Sequence, residues 1–97
     1  MRFLVIVKAF DTVTGEQDVK RLRQIAGEKA QELTKSGKLI ESGNFVDARG
    51  GFWLLDVDSA TELWELLFPA HELCHIEMHP IQSWEELGKG FEKFGSK

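Results

Sequence analysis

The segment GGFWLLDVDSATELWELLFPAHELCHIEMHP, residues 50–80, decides the fold of this 97-residue chain. It opens with an apolar run typical of a strand, and Ser59 and Glu62 then have the spacing of a capping box ahead of an apolar helix. Apolar and polar residues alternate over residues 74–79, so a second strand should turn its polar side chains to one face. The segment predicts strand, helix and strand, in that order.

The residues before this segment supply the remaining elements. Residues 2–9 form a nearly continuous apolar run, which is typical of a central strand covered on both faces. Thr14 and Gln17 fit a capping box at a helix start, and Ser36-Gly37 fits the end of that helix. The apolar face of this helix is predicted to consist of Val19, Leu22, Ile25, Ala26, Ala30 and Leu33.

The order of the elements predicts the fold class. Residues 38–47 predict an edge strand with a bulge at Gly43, and residues 52–57 predict its hairpin partner. Pro80 is expected to end the pairing of the last strand. The resulting βαββαβ order is the ferredoxin-like α+β arrangement, an antiparallel four-stranded sheet with both helices on one face. Residues 1–97 are expected to form a single domain.

A C-terminal helical extension is predicted over residues 83–94. Ser83 and Glu86 form another capping box, and four large apolar residues then recur at helical spacing. We expect this helix to pack on its own domain or on a partner subunit. The four residues are Trp84, Leu87, Phe91 and Phe94.

Composition limits the partners and the compartment. The chain is 42% hydrophobic and 29% charged, with a net charge of -4, which disfavours nucleic-acid binding. Its longest apolar run is too short for a membrane span, and its one cysteine, Cys74, suits a reducing compartment, so the cytoplasm is expected. A domain this small gains from a second copy that covers the open sheet face. We therefore expect a homodimer or a higher homo-oligomer.

Four segments resemble the muconolactone isomerase-like family of small proteins that form dimeric α/β barrels. They are MRFLVIVKAF (residues 1–10), SGKLIESGNF (36–45), GGFWLLDVDSATELWELL (50–67) and IEMHPI (76–81). The resemblance implies a cofactor-free protein that binds a small hydrophobic or unsaturated organic acid and shifts a double bond in a lactone by proton transfer. The connection before the last strand and the C-terminal tail depart from the isomerases, and no catalytic motif of the family is matched.

The candidate catalytic residues lie on the last strand. In a ferredoxin-like fold, His75, Glu77 and His79 should face away from the helices, and Lys8 of the first strand should lie near His75. His75 is the preferred base, since imidazole titrates near neutral pH. Glu77 is expected to orient a histidine or to act as the base itself if burial raises its pKa. The competing interpretation is a satisfied polar network at a dimer interface.

The candidate substrate-binding residues are Lys8, Asn44, Arg49 and Trp53. The first three offer hydrogen-bond donors to a carboxylate or to a developing oxyanion. Trp53 supplies an aromatic surface, although a large aromatic residue equally fits a core role. The competing function is a non-catalytic ligand-binding or assembly subunit, and a cofactor-free monooxygenase on the same architecture is a further alternative.

The sequence His71-Glu72-Leu73-Cys74-His75 also matches the zinc-protease formula, in which two histidines four apart on a helix bind zinc. That interpretation requires one helix across residues 69–78 and a much larger catalytic domain. The alternation of residues 74–79 favours a strand instead. The same alternation permits adventitious metal binding by His75, Glu77 and His79. We expect no resident metal and no cofactor.

Overall fold

The computed structural model of the chain describes residues 1–95. The elements are β1 (Arg2–Ala9), α1 (Glu16–Lys35), β2 (Leu39–Asn44), β3 (Gly50–Asp56), α2 (Ala60–Leu67), a 3₁₀ helix (Phe68–Glu72), β4 (Cys74–Ile81) and α3 (Trp84–Gly95). All neighbouring strands are antiparallel, in the order β2-β3-β1-β4. The predicted ferredoxin-like α+β fold is confirmed, and so are the β2–β3 hairpin and the position of β2 at an edge.

Two predictions about the edge strands are wrong. The irregularity in β2 lies between Leu39 and Glu41, whereas Gly43 is paired in register with Phe52. A Cβ atom on Gly43 would stand 2.4 Å from Cε1 of Phe52, so this glycine makes room for the ring rather than forming a bulge. Pro80 does not end the pairing of β4, because it lies opposite Phe3 and the strand continues to Ile81. An edge strand tolerates a proline because one of its sides has no ladder to complete.

The ends of α1 match the sequence prediction only at the C-terminus. Its N-cap is Gly15 in an extended conformation with no side-chain cap, so the Thr14 capping box is wrong by one position. Gly37 follows the helix with a φ of 74°, a left-handed conformation that glycine adopts without a side-chain penalty. This confirms the predicted end of α1 at Ser36-Gly37.

The start of α2 is fixed by a side-chain cap. The backbone N–H of Glu62 donates to Oγ of Ser59 at 3.1 Å, and the N–H of Asp58 donates to Oε2 of Glu62 at 2.8 Å. The predicted capping pair of Ser59 and Glu62 is confirmed, with the difference that Glu62 accepts from the N–H of Asp58 rather than from that of Ser59. It holds Leu63 and Leu67 of α2 against the sheet, where both are buried.

The core lies between the sheet and the helices. One buried cluster joins the sheet to both helices, and a second closes the end at which β1 stops and β4 begins. The first consists of Phe3, Val5, Leu33, Leu55, Val57, Leu63 and Leu67, and the second of Val13, Leu73 and Cys74. The side of the sheet that faces away from the helices, with Leu4, Ile6, Phe52 and Leu54 half-buried upon it, is called the open face below.

Helix α3 forms as predicted but projects from the rest of the chain. Ser83 and Glu86 make the predicted reciprocal cap, with distances of 3.0 and 3.3 Å. The side chains of Trp84, Phe91 and Phe94 are nevertheless 87%, 68% and 71% exposed. Of the two predicted positions for this helix, packing on its own domain is therefore excluded. None of the helices within residues 1–95 is long and apolar enough to cross a membrane.

Candidate functional site

A cavity of about 620 Å³ lies between the sheet and helices α1 and α2. Its walls are mainly apolar, with Val7 of β1, Ile25 of α1, Trp53 of β3 and Leu66 of α2 among them. This volume falls within the range of small-molecule sites, which are concave and mostly apolar with a few placed polar groups. We call it the helix-side cavity.

Strand register places the polar groups of β2 in this cavity. Val5 is completely buried in the core and pairs with Trp53, so Trp53 also turns to the helix side. Ser42 pairs with Trp53 and Asn44 with Gly51 on the other side of β3. Since paired residues share a face, Ser42 and Asn44 belong to the cavity wall.

The charged residues of the cavity are all cations. Arg23 and Lys29 of α1 and Arg49 of the β2–β3 turn are among its lining residues. Among residues 1–95, no Asp, Glu or His contributes to the lining. The whole chain has a net charge of -4, so this concentration of positive charge is local. Lys29 forms an ion pair with Glu32 at 3.2 Å, so Arg23 and Arg49 supply the charge that favours an anionic ligand such as a carboxylate.

The side chain of Arg49 is held at one end of the cavity by backbone carbonyl groups. Its Nη1 donates to the oxygen of Val13 at 2.6 Å, and its Nη2 donates to the oxygen of Phe10 at 2.9 Å. A guanidinium carries five N–H donors, so two bonds to the backbone leave donors for a ligand. Its orientation is therefore set before any ligand binds.

Cys74 contributes the one thiol of the lining. The residue is 2% exposed, and burial raises the pKa of its thiol, with the nearby charge of Arg49 opposing this effect. The group is therefore a protonated thiol at neutral pH. It can donate a weak hydrogen bond into the cavity but is a poor base.

The open face holds the predicted catalytic residues. Lys8 lies directly opposite His75 in the β1–β4 register, and Glu77 and His79 follow on the same face. Nε2 of His79 lies 3.4 Å from Oε2 of Glu77, and the ring of His75 packs edge-to-face on Phe10 with centroids 4.4 Å apart. The predicted placement of these residues is confirmed. All four are exposed in the single chain.

The structure thus divides the seven predicted site residues between two faces. Asn44, Arg49 and Trp53 line the helix-side cavity. Lys8 and the catalytic candidates of β4 lie on the open face. Because the sheet stands between the two groups, one small molecule does not contact both. The catalytic and binding roles of these residues stay predictions.

The structure adds residues that the sequence did not single out. Arg23 and Lys29 stand beside the apolar stripe of α1 and belong to the lining of the cavity. The sequence contained an indication of this position, because a long basic side chain next to an apolar stripe packs its methylene groups along that stripe. Ser42 and Cys74 carried no such signal, since their place depends on strand register.

The zinc-protease interpretation is wrong. His71 belongs to the 3₁₀ helix and His75 to β4, so they do not share a helical face. Glu72 forms an ion pair with Arg21, and the His71 ring packs on Trp64 with centroids 4.4 Å apart. Within the described part of the chain, no group of three or more His, Cys, Asp or Glu residues is arranged to hold a metal ion.

Comparison with known protein families identifies a match over most of the chain. The family model described as muconolactone delta-isomerase matches residues 1–86. The matched range contains β1 to β4 and all four segments on which the resemblance was based. It stops inside α3. No curated protein matches the chain by sequence.

Proposed function

The chain belongs to the muconolactone delta-isomerase family, and on this premise we propose that it binds a small unsaturated organic acid or lactone and shifts its double bond by proton transfer, without a cofactor. The helix-side cavity is the observation that carries the binding part of this proposal. It is large enough for such a molecule, and its wall combines apolar surface with cations.

The proposed binding mode follows from the positions of the polar groups. Arg49 and Asn44 lie at the sheet side of the cavity and would bind a carboxylate or lactone oxygen. Trp53 and Leu66 would contact the hydrocarbon part. Guanidinium and carboxylate groups form paired hydrogen bonds, which fix the orientation of a ligand as well as its position.

Proton transfer also needs a base, and the helix-side cavity and the open face differ in whether they contain one. The described lining of the cavity contains no imidazole or carboxylate group, and Lys29 and Cys74 are its titratable groups other than arginine. The imidazole and carboxylate groups of β4 lie on the open face. Catalysis by His75, Glu77 or His79 therefore requires a substrate on the open face, enclosed by a second copy of the chain.

The same observation favours a second candidate function. A cavity with cations but without a strong base is suited to holding an organic acid rather than to transforming it. The second candidate is a non-catalytic protein that binds a small organic acid. Both candidates use Arg49 for binding and differ in whether a carbon-bound proton exchanges with water.

A deuterium-exchange experiment distinguishes the candidates. The protein would be incubated in deuterated water with a panel of unsaturated lactones and of enol and keto acids, and deuterium at the allylic or α carbon would be measured by NMR. The Arg49→Met and His75→Ala variants would be compared with the wild type. Binding would be followed separately through the fluorescence of Trp53, with Trp53→Phe as the reference for the signal from Trp64 and Trp84.

Each outcome has a definite meaning. Uptake that is lost in Arg49→Met and retained in His75→Ala supports isomerisation in the cavity. Uptake that is lost in His75→Ala and retained in Arg49→Met moves the reaction to the open face. Arg49-dependent binding without uptake for any compound supports the binding protein and rejects the isomerase proposal. If the protein shows neither ligand binding nor deuterium uptake with any compound, both candidates are rejected.

A further inference from the structure

Helix α3 carries an apolar stripe that the single chain leaves uncovered. At 100° per residue, its four large apolar residues fall on one side of the helix and its charged residues on the other. Three of the four, Trp84, Phe91 and Phe94, are more than two-thirds exposed. Soluble proteins rarely expose so many neighbouring aromatic groups unless they form an interaction site.

The chain is also more extended than a compact chain of its length. The radius of gyration is 16.1 Å, whereas about 12.5 Å is expected for a compact chain of this length. The extents are 59 × 28 × 22 Å, so one axis is more than twice as long as either of the others. An assembly that covers α3 would give this projecting helix the contacts that the single chain does not provide.

The sequence of α3 is nearly palindromic about Lys89. Counting outward from it, Gly88 matches Gly90, Leu87 matches Phe91, and Trp84 matches Phe94. The acidic Glu85 matches the basic Lys93. A two-fold symmetric contact requires a surface that is complementary to itself, and a palindromic helix meets this requirement when it pairs antiparallel with a copy of itself.

We propose that α3 pairs antiparallel with α3 of a second copy of this chain, across a two-fold axis near Lys89. In this register Trp84 packs on Phe94 of the partner subunit and Leu87 packs on Phe91 of the partner subunit. Gly88 and Gly90 flank the apolar stripe near the crossing point, where the absence of side chains lets two helices approach closely.

The charges of α3 lie away from its apolar stripe. The first turn of α3 is acidic, with Glu85 and Glu86, and its last turn contains Lys93. Antiparallel pairing about Lys89 sets Glu85 level with Lys93 of the partner subunit but Glu86 level with Glu92 of the partner subunit, so the direction of pairing rests on the palindromic apolar residues. The polar face is of mixed sign rather than strongly basic, which disfavours an anionic membrane surface.

The size of the contact indicates what α3 adds to the assembly. A 12-residue helix is roughly 18 Å long, and two such helices bury less than the typical 800 Å² per partner of a stable interface. We therefore infer that α3 acts together with another interface. If the open faces also pair, α3 links dimers into a larger assembly.

The first test measures molecular mass in solution by sedimentation over a range of protein concentrations. Phe91→Glu places a charge in the apolar stripe and is expected to lower the association state of the full-length chain by a factor of two. Phe68→Glu is the matched control, since Phe68 is 57% exposed and lies outside α3. Unchanged mass in Phe91→Glu with retained far-UV circular dichroism overturns the proposal.

The second test fixes the direction of pairing by disulfide formation. In a Cys74→Ser background, Trp84→Cys protein is mixed with Phe94→Cys protein and oxidised. Antiparallel pairing brings positions 84 and 94 together and holds the two copies of position 84 about 15 Å apart along the axis. Cross-linking in the mixture alone supports the proposal. Cross-linking of Trp84→Cys by itself, or none in the mixture, overturns it.

Discussion

Arg49 donates a hydrogen bond of 2.6 Å from Nη1 to the carbonyl oxygen of Val13, 36 residues away along the chain. The bond ties the turn between β2 and β3 to the loop that follows β1. It also orients the guanidinium at the end of the helix-side cavity. One side chain therefore contributes to both folding stability and the proposed ligand site.

Replacing Arg49 by Met is expected to lower both the folding stability and the affinity for the ligand. The free energy of unfolding should fall by about 1–3 kcal/mol, since two backbone carbonyl groups lose a charged donor. Affinity for an unsaturated organic acid should fall at least tenfold. Denaturant unfolding and ligand titration measure the two effects. Arg21→Met removes the same charge outside the cavity and should leave affinity unchanged; an equal loss in both variants would contradict the specific role of Arg49.

The ion pair between Lys38 and Glu62 should give stability a defined pH dependence. The Lys38 hydrogen bond holds the pKa of Glu62 below its usual 4.5, and the Glu62 hydrogen bond holds the pKa of Lys38 above its usual 10.5. The carboxylate contribution is present above the unfolded pKa of Glu62 and disappears as pH falls through the folded value. The ammonium contribution is present below 10.5 and disappears as pH rises through the folded value.

Lys38→Met tests this pair without removing the cap that Glu62 provides to α2. We expect the wild type to exceed the variant in stability at neutral pH, and the difference to shrink at both extremes. Urea unfolding of the wild type and the variant at several pH values measures this difference in stability. A difference that is independent of pH would show that the lost packing of the lysine stem, rather than its charge, is responsible.

The caps of α2 and α3 should behave differently although both use a serine. Ser59→Ala should reduce global stability by about 1 kcal/mol, because α2 carries buried Leu63 and Leu67. Ser83→Ala removes an equivalent cap from a helix that projects from the core. It should shift the helical signal of α3 without changing the main unfolding transition. Equal effects of the two variants on that transition would indicate that α3 is coupled to the core.

Cys74 should react slowly in the native protein. The residue is 2% exposed and its thiol has a raised pKa, so both access and thiolate formation limit alkylation. We expect native labelling to be at least tenfold slower than labelling in denaturant, with a further decrease when a ligand fills the cavity. Mass spectrometry of timed samples measures the rate. Fast labelling of the native protein would show that this end of the cavity opens readily.

The open face should act as a surface for association. Ile6 lies at its centre, opposite Phe52 on one side and Glu77 on the other. Ile6→Glu places a charge there and should lower the molecular mass in solution. Gln31→Glu adds a charge to an exposed position of α1 and serves as the control. A retained mass in Ile6→Glu would exclude this face from the assembly.

Local signals in the sequence predicted most of the fold. The capping boxes at Ser59 and Ser83 and the glycine after α1 act within a few residues, so their effect is visible in the sequence itself. The irregularity in β2 and the continuation of β4 through Pro80 depend on which strand lies alongside. These two features were therefore assigned incorrectly.

The candidate site was harder to predict, for the same physical reason. Alternation correctly placed His75, Glu77 and His79 on one face of β4. Nothing local showed that Asn44 and Trp53 turn to the other face, because that depends on register across two strands. The cavity itself is a space between elements distant in sequence. The sequence thus indicated several of its residues but not their common location.

The alternation of β1 has a consequence for how this protein can change during evolution. Ile6 belongs to the open face and its neighbour Val7 to the wall of the cavity. Insertion or deletion of one residue in β1 would exchange the two faces over the rest of the strand. Substitutions can adjust the cavity and the open face separately, whereas a length change in this strand alters both at once. The length of β1 is therefore constrained by both surfaces, whereas its individual residues are constrained by one surface each.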